Sequence, residues 1–273
     1  MEKLVTYAQN REDLYLFALL GHVVNGFYVD VGAYHESLHS VTKLFYDRGW
    51  HGINIDANEG LMSQLSIHRP RDINLAVGVS DVEGLQTFRE YPMHDGLSTL
   101  NPGIMGIHEG RDLPYVDHEI RVTTLAQIFE EHNVTKIDFL KIDVEGAEVE
   151  LLRGNNWQRI RPSVVMFEAN RGQESIDVLA KQGYRLEFFD GLNHYMVAEE
   201  ATGVTIQNLP DRILQGGVMT RLEFELLEEV ELLRAGAGLP PRSASSAGDL
   251  GIRGAGTALA KAIKRRLNGT LKR

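Results

Sequence analysis

The sequence predicts an α/β protein, a doubly wound and mostly parallel seven-stranded sheet that ends in a C-terminal antiparallel hairpin. Three observations predict it. Short apolar runs alternate with segments of helical spacing, the pattern of βαβ units. The runs are nearly continuous rather than alternating, as strands covered on both faces are. Six of them end on an acid or an amide, at the edge where open α/β sheets bind ligands. The chain has 273 residues, 43% of them hydrophobic, enough for a sizeable core. It has no cysteine, which excludes a disulfide scaffold, a thiolate nucleophile and thiolate metal ligation.

The elements follow in order. Gly26 to Val31 reads as the first strand, and Ser37 to Gly49 as a helix with Leu38, Val41, Leu44 and Phe45 at helical spacing. His51 to Asp56 is the second strand and Glu59 to Ile67 the second helix. Ile73 to Val79 is a third strand, and Leu85 to Tyr91 an inserted one after the turn at 81–84. Pro92 to Glu119, rich in Gly, Pro and His, reads as a long irregular loop that shapes a substrate pocket. Regular structure returns with a helix Thr124 to His132, a strand Ile137 to Ile142 and a helix Ala147 to Leu152. Ser163 to Phe167 is the next strand and Gln173 to Gln182 the next helix. Tyr184 to Phe189 and His194 to Ala198 close the sheet as a hairpin around Asp190-Gly-Leu-Asn193.

Residues 1–215 form the main domain on this reading, 216–234 an appended amphipathic helix centred on Leu222 to Leu233, and 235–273 a flexible linker with a basic tail. The tail carries eight Lys and Arg against Asp249 alone, which leaves the first 234 residues at a net charge of −17. So acidic a body disfavours nucleic acid. The basic helix expected over Thr257 to Leu271 suits a peripheral membrane surface or an acidic partner, or stays solvated. The leucine face of 222–233 packs on the domain or in a homo-oligomer. Met1 to Asn10 holds no signal-like apolar run and no stretch has membrane-spanning length, so the expected location is cytoplasmic.

The strand tips carry the chemistry. The first turn, Asp30-Val-Gly32-Ala33-Tyr34, lets the backbone approach a ligand at Gly32 but lacks the glycines of a pyrophosphate loop. Asp56, with Asn58 beside it, follows Gly32 at the distance of an acid that grips ribose hydroxyls. Ser80 and Asp81 stand at the third tip as candidates for an exocyclic amine. Each acid alone serves equally well as a helix cap. The ordered set favours a nucleoside bearing a positive charge, which S-adenosylmethionine fits better than NAD.

Several motifs resemble the FkbM family of S-adenosylmethionine-dependent methyltransferases. They are Asp30 to Ala33, Ser40 to Asn54, Asn74 to Asp81, Gly96 to Thr99, Ile137 to Gly146 and Phe189 to Asn193, with Tyr7 to Asn10 and Glu12-Asp13 similar to that family's entry segment. The resemblance spans roughly residues 5–200. It implies a class I methyltransferase (Rossmann-like) fold and methylation of a sugar hydroxyl in a glycan, glycolipid or glycosylated metabolite. Two departures are Glu36 where many relatives carry Pro, and Asp56-Ala57 where they carry Glu-Pro.

A hydroxyl acceptor must lose its proton, so a base is expected near the methyl. Asp143, Glu145 and Glu168 are the carboxylate candidates, and His35, His94 and His194 the imidazoles. Asp143, Glu168 and Asp190 (or Asn193) also compose a candidate Mg²⁺ or Ca²⁺ site, although the same carboxylates can hold sugar hydroxyls or cap helices. Gln9 and Asp13 either close over the cofactor or tie the N-terminal segment down. Trp50 and Trp157 read as packing residues, Tyr91 and Tyr115 as stacking candidates for the acceptor. The competing functions are an NAD-dependent sugar oxidoreductase or epimerase, and a non-catalytic S-adenosylmethionine-binding module.

Overall fold

The computed structural model describes residues 4–93, 95–111, 113–206 and 218–220. The appended helix expected at 222–233 and the tail at 235–273 lie outside the described residues, as does His94. The strands are β1 (Leu4–Thr6), β2 (Phe27–Val31), β3 (His51–Asp56), β4 (Ile73–Ala76), β5 (Gly78–Val79), β6 (Gly84–Glu90), β7 (Val116–Thr123), β8 (Phe139–Ile142), β9 (Val164–Glu168), β10 (Tyr184–Phe189), β11 (Asn193–Ala198) and β12 (Val218–Thr220). The α-helices are α1 (Glu12–Leu20), α2 (Lys43–Asp47), α3 (Glu59–His68), α4 (Pro102–Glu109), α5 (Leu125–Glu131), α6 (Glu148–Arg153) and α7 (Gly172–Ala180).

Seven strands form one sheet in the order β10-β11-β9-β8-β2-β3-β4. Only β11 runs against its neighbours, so the hairpin expected from the sequence closes an otherwise parallel sheet. Parallel strands deliver their carboxyl ends to one edge, and the reversed β11 brings its first residue, Asn193, to the same edge opposite Glu168. Val29, Val31, Leu140, Ile142 and Val165 pack with α5, α6 and α7 on one face. Tyr28, Phe139, Met166 and Tyr195 pack with α1 and α2 on the other. No helix among the described residues is long and apolar enough to cross a membrane.

Four features depart from the sequence reading. The third strand breaks at Val77, whose N–H donates to the Asp56 carbonyl at 3.0 Å, and Gly78–Val79 then pairs with β7 in a separate three-stranded sheet. The stretch read as one irregular loop contains α4 and the start of β7, which pairs antiparallel with β6. The helix expected from Ser37 is regular only over Lys43–Asp47, because His39 adopts φ +57°. An N-terminal helix, α1, was not read at all. In addition, β12 pairs in parallel with β1, which puts residues 218–220 with the main compact unit.

Candidate functional site

A cleft of about 740 Å³ opens at the carboxyl edge of the large sheet. Its walls come from the turn after β2, the tip of β3, the β4–β5 break, Pro92, Met93 and the segment 96–100, the tip of β8, Glu168 and Asn193. Of the acids foreseen at the strand tips, Asp30, Asp56, Asp143, Glu145 and Glu168 all line it.

Gly32, Ala33 and Tyr34 form one wall, as expected. Gly32 is required for a second reason besides ligand approach. It sits at φ +77°, and a Cβ there would lie 1.8 Å from the Asp143 carbonyl oxygen, since the tips of β2 and β8 touch at this point. Asp56 accepts backbone N–H bonds from Tyr34 (3.1 Å) and Asn58 (2.9 Å), one on each oxygen. Burial raises its pKa. Asn58 caps α3 through Leu61 N–H and donates to Glu90 at 2.9 Å. At the second tip the cap of α3 is therefore Asn58, while Asp56 lines the cleft and holds the two loops.

Several assignments need correction. Ser80 and Asp81 do not reach the cleft; Ser80 Oγ donates to Asp81 (3.3 Å), and the chain offers Val77, Gly78 and Val79 there instead. Asp13 is fully enclosed and accepts from Thr6 Oγ1 (2.6 Å), Tyr7 N–H (2.7 Å) and Ala8 N–H (3.4 Å), so it ties the N-terminal segment down. Burial lifts its pKa to about 7. Gln9 does face the cleft. Asp30 lines the cleft but is not free to grip a ligand, being held by Lys141 Nζ at 3.1 Å and Thr42 Oγ1 at 3.0 Å.

At the other end, oxygens of Asp143, Glu145 and Glu168 lie within 4.8 Å of one another. Burial and the charges of Asp143, Glu168 and Glu148 push the Glu145 pKa up to about 8. Burial, Asp143 and Glu148 push Glu168 to about 7. Glu145 sits at φ +50°, a sparsely populated conformation for a non-glycine residue and one that clusters at functional sites. The segment over the cleft holds this turn: Thr99 Oγ1 donates to the Glu145 carbonyl at 2.8 Å and Asn101 Nδ2 to the Gly146 carbonyl at 2.5 Å.

The cation set Asp143, Glu168 and Asp190 is not assembled; Glu145 takes the third place. Asp190 instead accepts from Leu192 N–H, Asn193 N–H, Asn193 Nδ2 and Tyr195 Oη, closing the β10–β11 turn. Two imidazole candidates also fall away from the cleft. His194 points to the opposite face from Asn193, where it stacks between Phe167 (5.3 Å) and Phe189 (4.6 Å), and burial lowers its pKa. His35 Nδ1 accepts from Ser37 and Leu38 N–H at 3.1 and 3.0 Å, capping its own loop. Trp50 and Trp157 are buried packing residues, as read. Tyr91 is fully buried against His108 and Tyr115, and Tyr115 lies under the Arg89 guanidinium at 3.7 Å, so neither is a free platform in the cleft.

Two charged cleft residues, Glu12 and Lys141, lie in segments that resemble the family but carry no role in the sequence reading. Glu12 accepts from Asn193 Nδ2 at 3.3 Å and Asn10 N–H at 2.7 Å. Lys141 is buried and is the one Lys or Arg lining the cleft among the described residues. A lysine inside the apolar strand Phe139-Leu-Lys-Ile142 was the available signal.

The donor set fits S-adenosylmethionine. Among the described residues, six carboxyl groups (Glu12, Asp30, Asp56, Asp143, Glu145 and Glu168) and one lysine line the cleft, and that lysine is already paired with Asp30 and Asp143, so the lining suits a sulfonium and offers no free cation to a pyrophosphate. Asp56 lines the cleft at the tip of β3, and Leu61, Val77 and Val79 give it an apolar wall. Residues 30–188, more than half of the chain, match the family model of the methyltransferase FkbM domain. No curated protein matches the chain. Among solved structures it is similar to a TehB-like SAM-dependent methyltransferase from Corynebacterium glutamicum, at 12% identity over 68% of this chain and 87% of that one, with a TM-score of 0.37. It is also similar to a precorrin-6y C5,15-methyltransferase from Geobacter metallireducens, at 12% identity over 72% and 91%, with a TM-score of 0.35. The chain thus belongs to the FkbM methyltransferase family, with the class I fold and the S-adenosylmethionine-dependent methyl transfer of that family.

Proposed function

We propose that the protein is an O-methyltransferase whose acceptor is a carbohydrate hydroxyl. The observation that carries this reading is the Glu145–Glu168 pair, two half-buried cleft carboxyls whose pKa values are raised to about 8 and about 7. When bound, S-adenosylmethionine supplies an electrophilic methyl on a sulfonium. The chain's part is to align an acceptor oxygen and take its proton, and a carboxylate with a pKa near the working pH is an effective base for that. Glu145 is the residue we assign as base. Glu168 and Asn193, adjacent across β9 and β11, offer carboxyl and amide oxygens suited to accept from further hydroxyls of a sugar. The surplus of carboxylates in the cleft disfavours the NAD reading, and a base with a matched pKa disfavours the non-catalytic one.

The test is transfer of labelled methyl from S-adenosylmethionine across a panel of free sugars, glycosides and glycolipids, with Asp143→Asn as control. Transfer to a sugar hydroxyl, lost in the variant, is the expected result. Tight cofactor binding with no transfer to any acceptor would favour the module reading. Running the panel in excess EDTA separates a further possibility, a cation held by Asp143, Glu145 and Glu168. Direct proton transfer to Glu145 predicts unchanged turnover in EDTA, and loss of turnover restored by Mg²⁺ or Ca²⁺ would assign those residues to a metal.

A further inference from the structure

Lys141 is a poor choice for stability alone. It occupies the third position of β8, in a row of polar side chains that crosses the sheet from Asn74 through Asn54 and Asp30. It is only 5% exposed, and burying a charge on a central strand costs what a well-packed apolar residue would not. Its ammonium meets three oxygens from two strand tips: the Gly32 carbonyl at 2.6 Å, Asp30 Oδ1 at 3.1 Å and Asp143 Oδ2 at 3.5 Å. The Gly32 carbonyl accepts its hydrogen bond, and the two carboxylates hold it as ion pairs.

The far side of this network is equally fixed. Asp30 Oδ2 accepts from Thr42 Oγ1, and Thr42 Oγ1 accepts from Arg69 at 2.6 Å. Arg69 is itself anchored on Ser40 Oγ at 2.6 Å and the Glu36 carbonyl. Asp30 is therefore held from the loop below, whereas Asp143, which is more exposed at the cleft, has Lys141 as its one ion-pair partner among the described residues.

We propose that Lys141 is a positioning residue of the methyl-transfer site, which acts by pinning the Asp143 carboxylate against the Gly32 turn so that the two walls of the cofactor cleft keep a fixed spacing. Burial alone would lower the lysine's pKa, but Asp30 and Asp143 outweigh it and raise the value, so the pin stays charged over the whole working range. The inference concerns the cofactor end and is independent of the acceptor's identity.

The test uses S-adenosylhomocysteine as the probe, by calorimetry on the full chain, with melting temperature measured in parallel. Removing Lys141 alone would strand Asp30 as a buried unpaired charge, so the comparison is made in an Asp30→Asn background. The wild type and D30N must first bind the probe, which checks the cofactor assignment separately. D30N/K141M is expected to melt within a few degrees of D30N yet bind at least ~10-fold more weakly, and D30N/K141R to recover most of the loss. If Lys141 works through Asp143, adding K141M to D30N/D143N costs less than ~3-fold. Equal affinity in D30N and D30N/K141M would overturn the proposal. So would additive losses of K141M and D143N, or failure of D30N/K141M to fold where D30N folds, since Lys141 would then be a strut of the core.

Discussion

Replacing Glu145 with Gln is expected to lower turnover by roughly 10²–10⁴-fold, the usual worth of a positioned base, while leaving cofactor binding and the fold in place. The amide keeps the size of the side chain and its hydrogen-bonding capacity but cannot take a proton. The turn that carries it is fixed through backbone carbonyls, by Thr99 and Asn101, and does not depend on the carboxyl. Two pH signatures accompany the loss. Wild-type turnover should rise with pH as the Glu145–Glu168 pair gives up its protons, with apparent values near 7 and 8 that belong to the pair. Stability should move the other way. Both folded-state pKa values lie above the unfolded reference, so the folded protein holds protons that the unfolded chain releases. That contribution is complete below about pH 4.3, the ordinary glutamate value, and is lost as pH rises through 7 to 8. Melting temperature should therefore fall between pH 5 and 8.5, and E145Q should flatten the fall. Turnover within ~3-fold of wild type in E145Q would remove Glu145 from the role of base.

The second large effect is expected at Gly32. In Gly32→Ala the new methyl would lie 1.8 Å from the Asp143 carbonyl oxygen, a backbone atom that no rotamer change can move aside. The φ of +77° adds the left-handed penalty of roughly 1–2 kcal/mol. Overpacking adds about 1–3 kcal/mol. A loss of about 3 kcal/mol or more in denaturant unfolding is expected, together with loss of S-adenosylhomocysteine binding, because relief requires β2 and β8 to part at the cleft. Gly106→Ala in α4 is the control. That position is open, and the change should be neutral to slightly stabilising. If Gly32→Ala unfolds at the wild-type midpoint, the contact between the two strand tips is looser than described.

Much of the fold was legible because its strands are short apolar runs bounded by polar tips. Tyr184–Phe189 stands where it was read, and the helix read over Thr124 to His132 is α5 with those two residues as its caps. What escaped has physical causes. Helix α1 is hydrophobic on every side, with Leu14, Leu16, Leu19 and Leu20 all buried, so it lacks the stripe that reveals a surface helix. Strand β7 fails the opposite way: Val116 to Glu119 are exposed on both faces, so its alternation is faint. The site was legible as a list of acids but not as an arrangement. Asp30 and Asp143 share Lys141, Asp190 turns inward to its own hairpin, and Asp81 ends beyond the break at Val77. Partner choice among carboxylates is settled by long-range contacts, which strand-tip spacing does not encode.

A crystal structure with S-adenosylhomocysteine bound tests the cofactor cleft most directly. The adenosine should lie against Asp56, Tyr34 and Val77 to Val79, and the amino acid end beside the Gly32 turn. The sulfur should face the Asp143–Glu145–Glu168 end of the cleft. A ligand bound outside these strand tips, or one whose sulfur points away from Glu145, would contradict that placement.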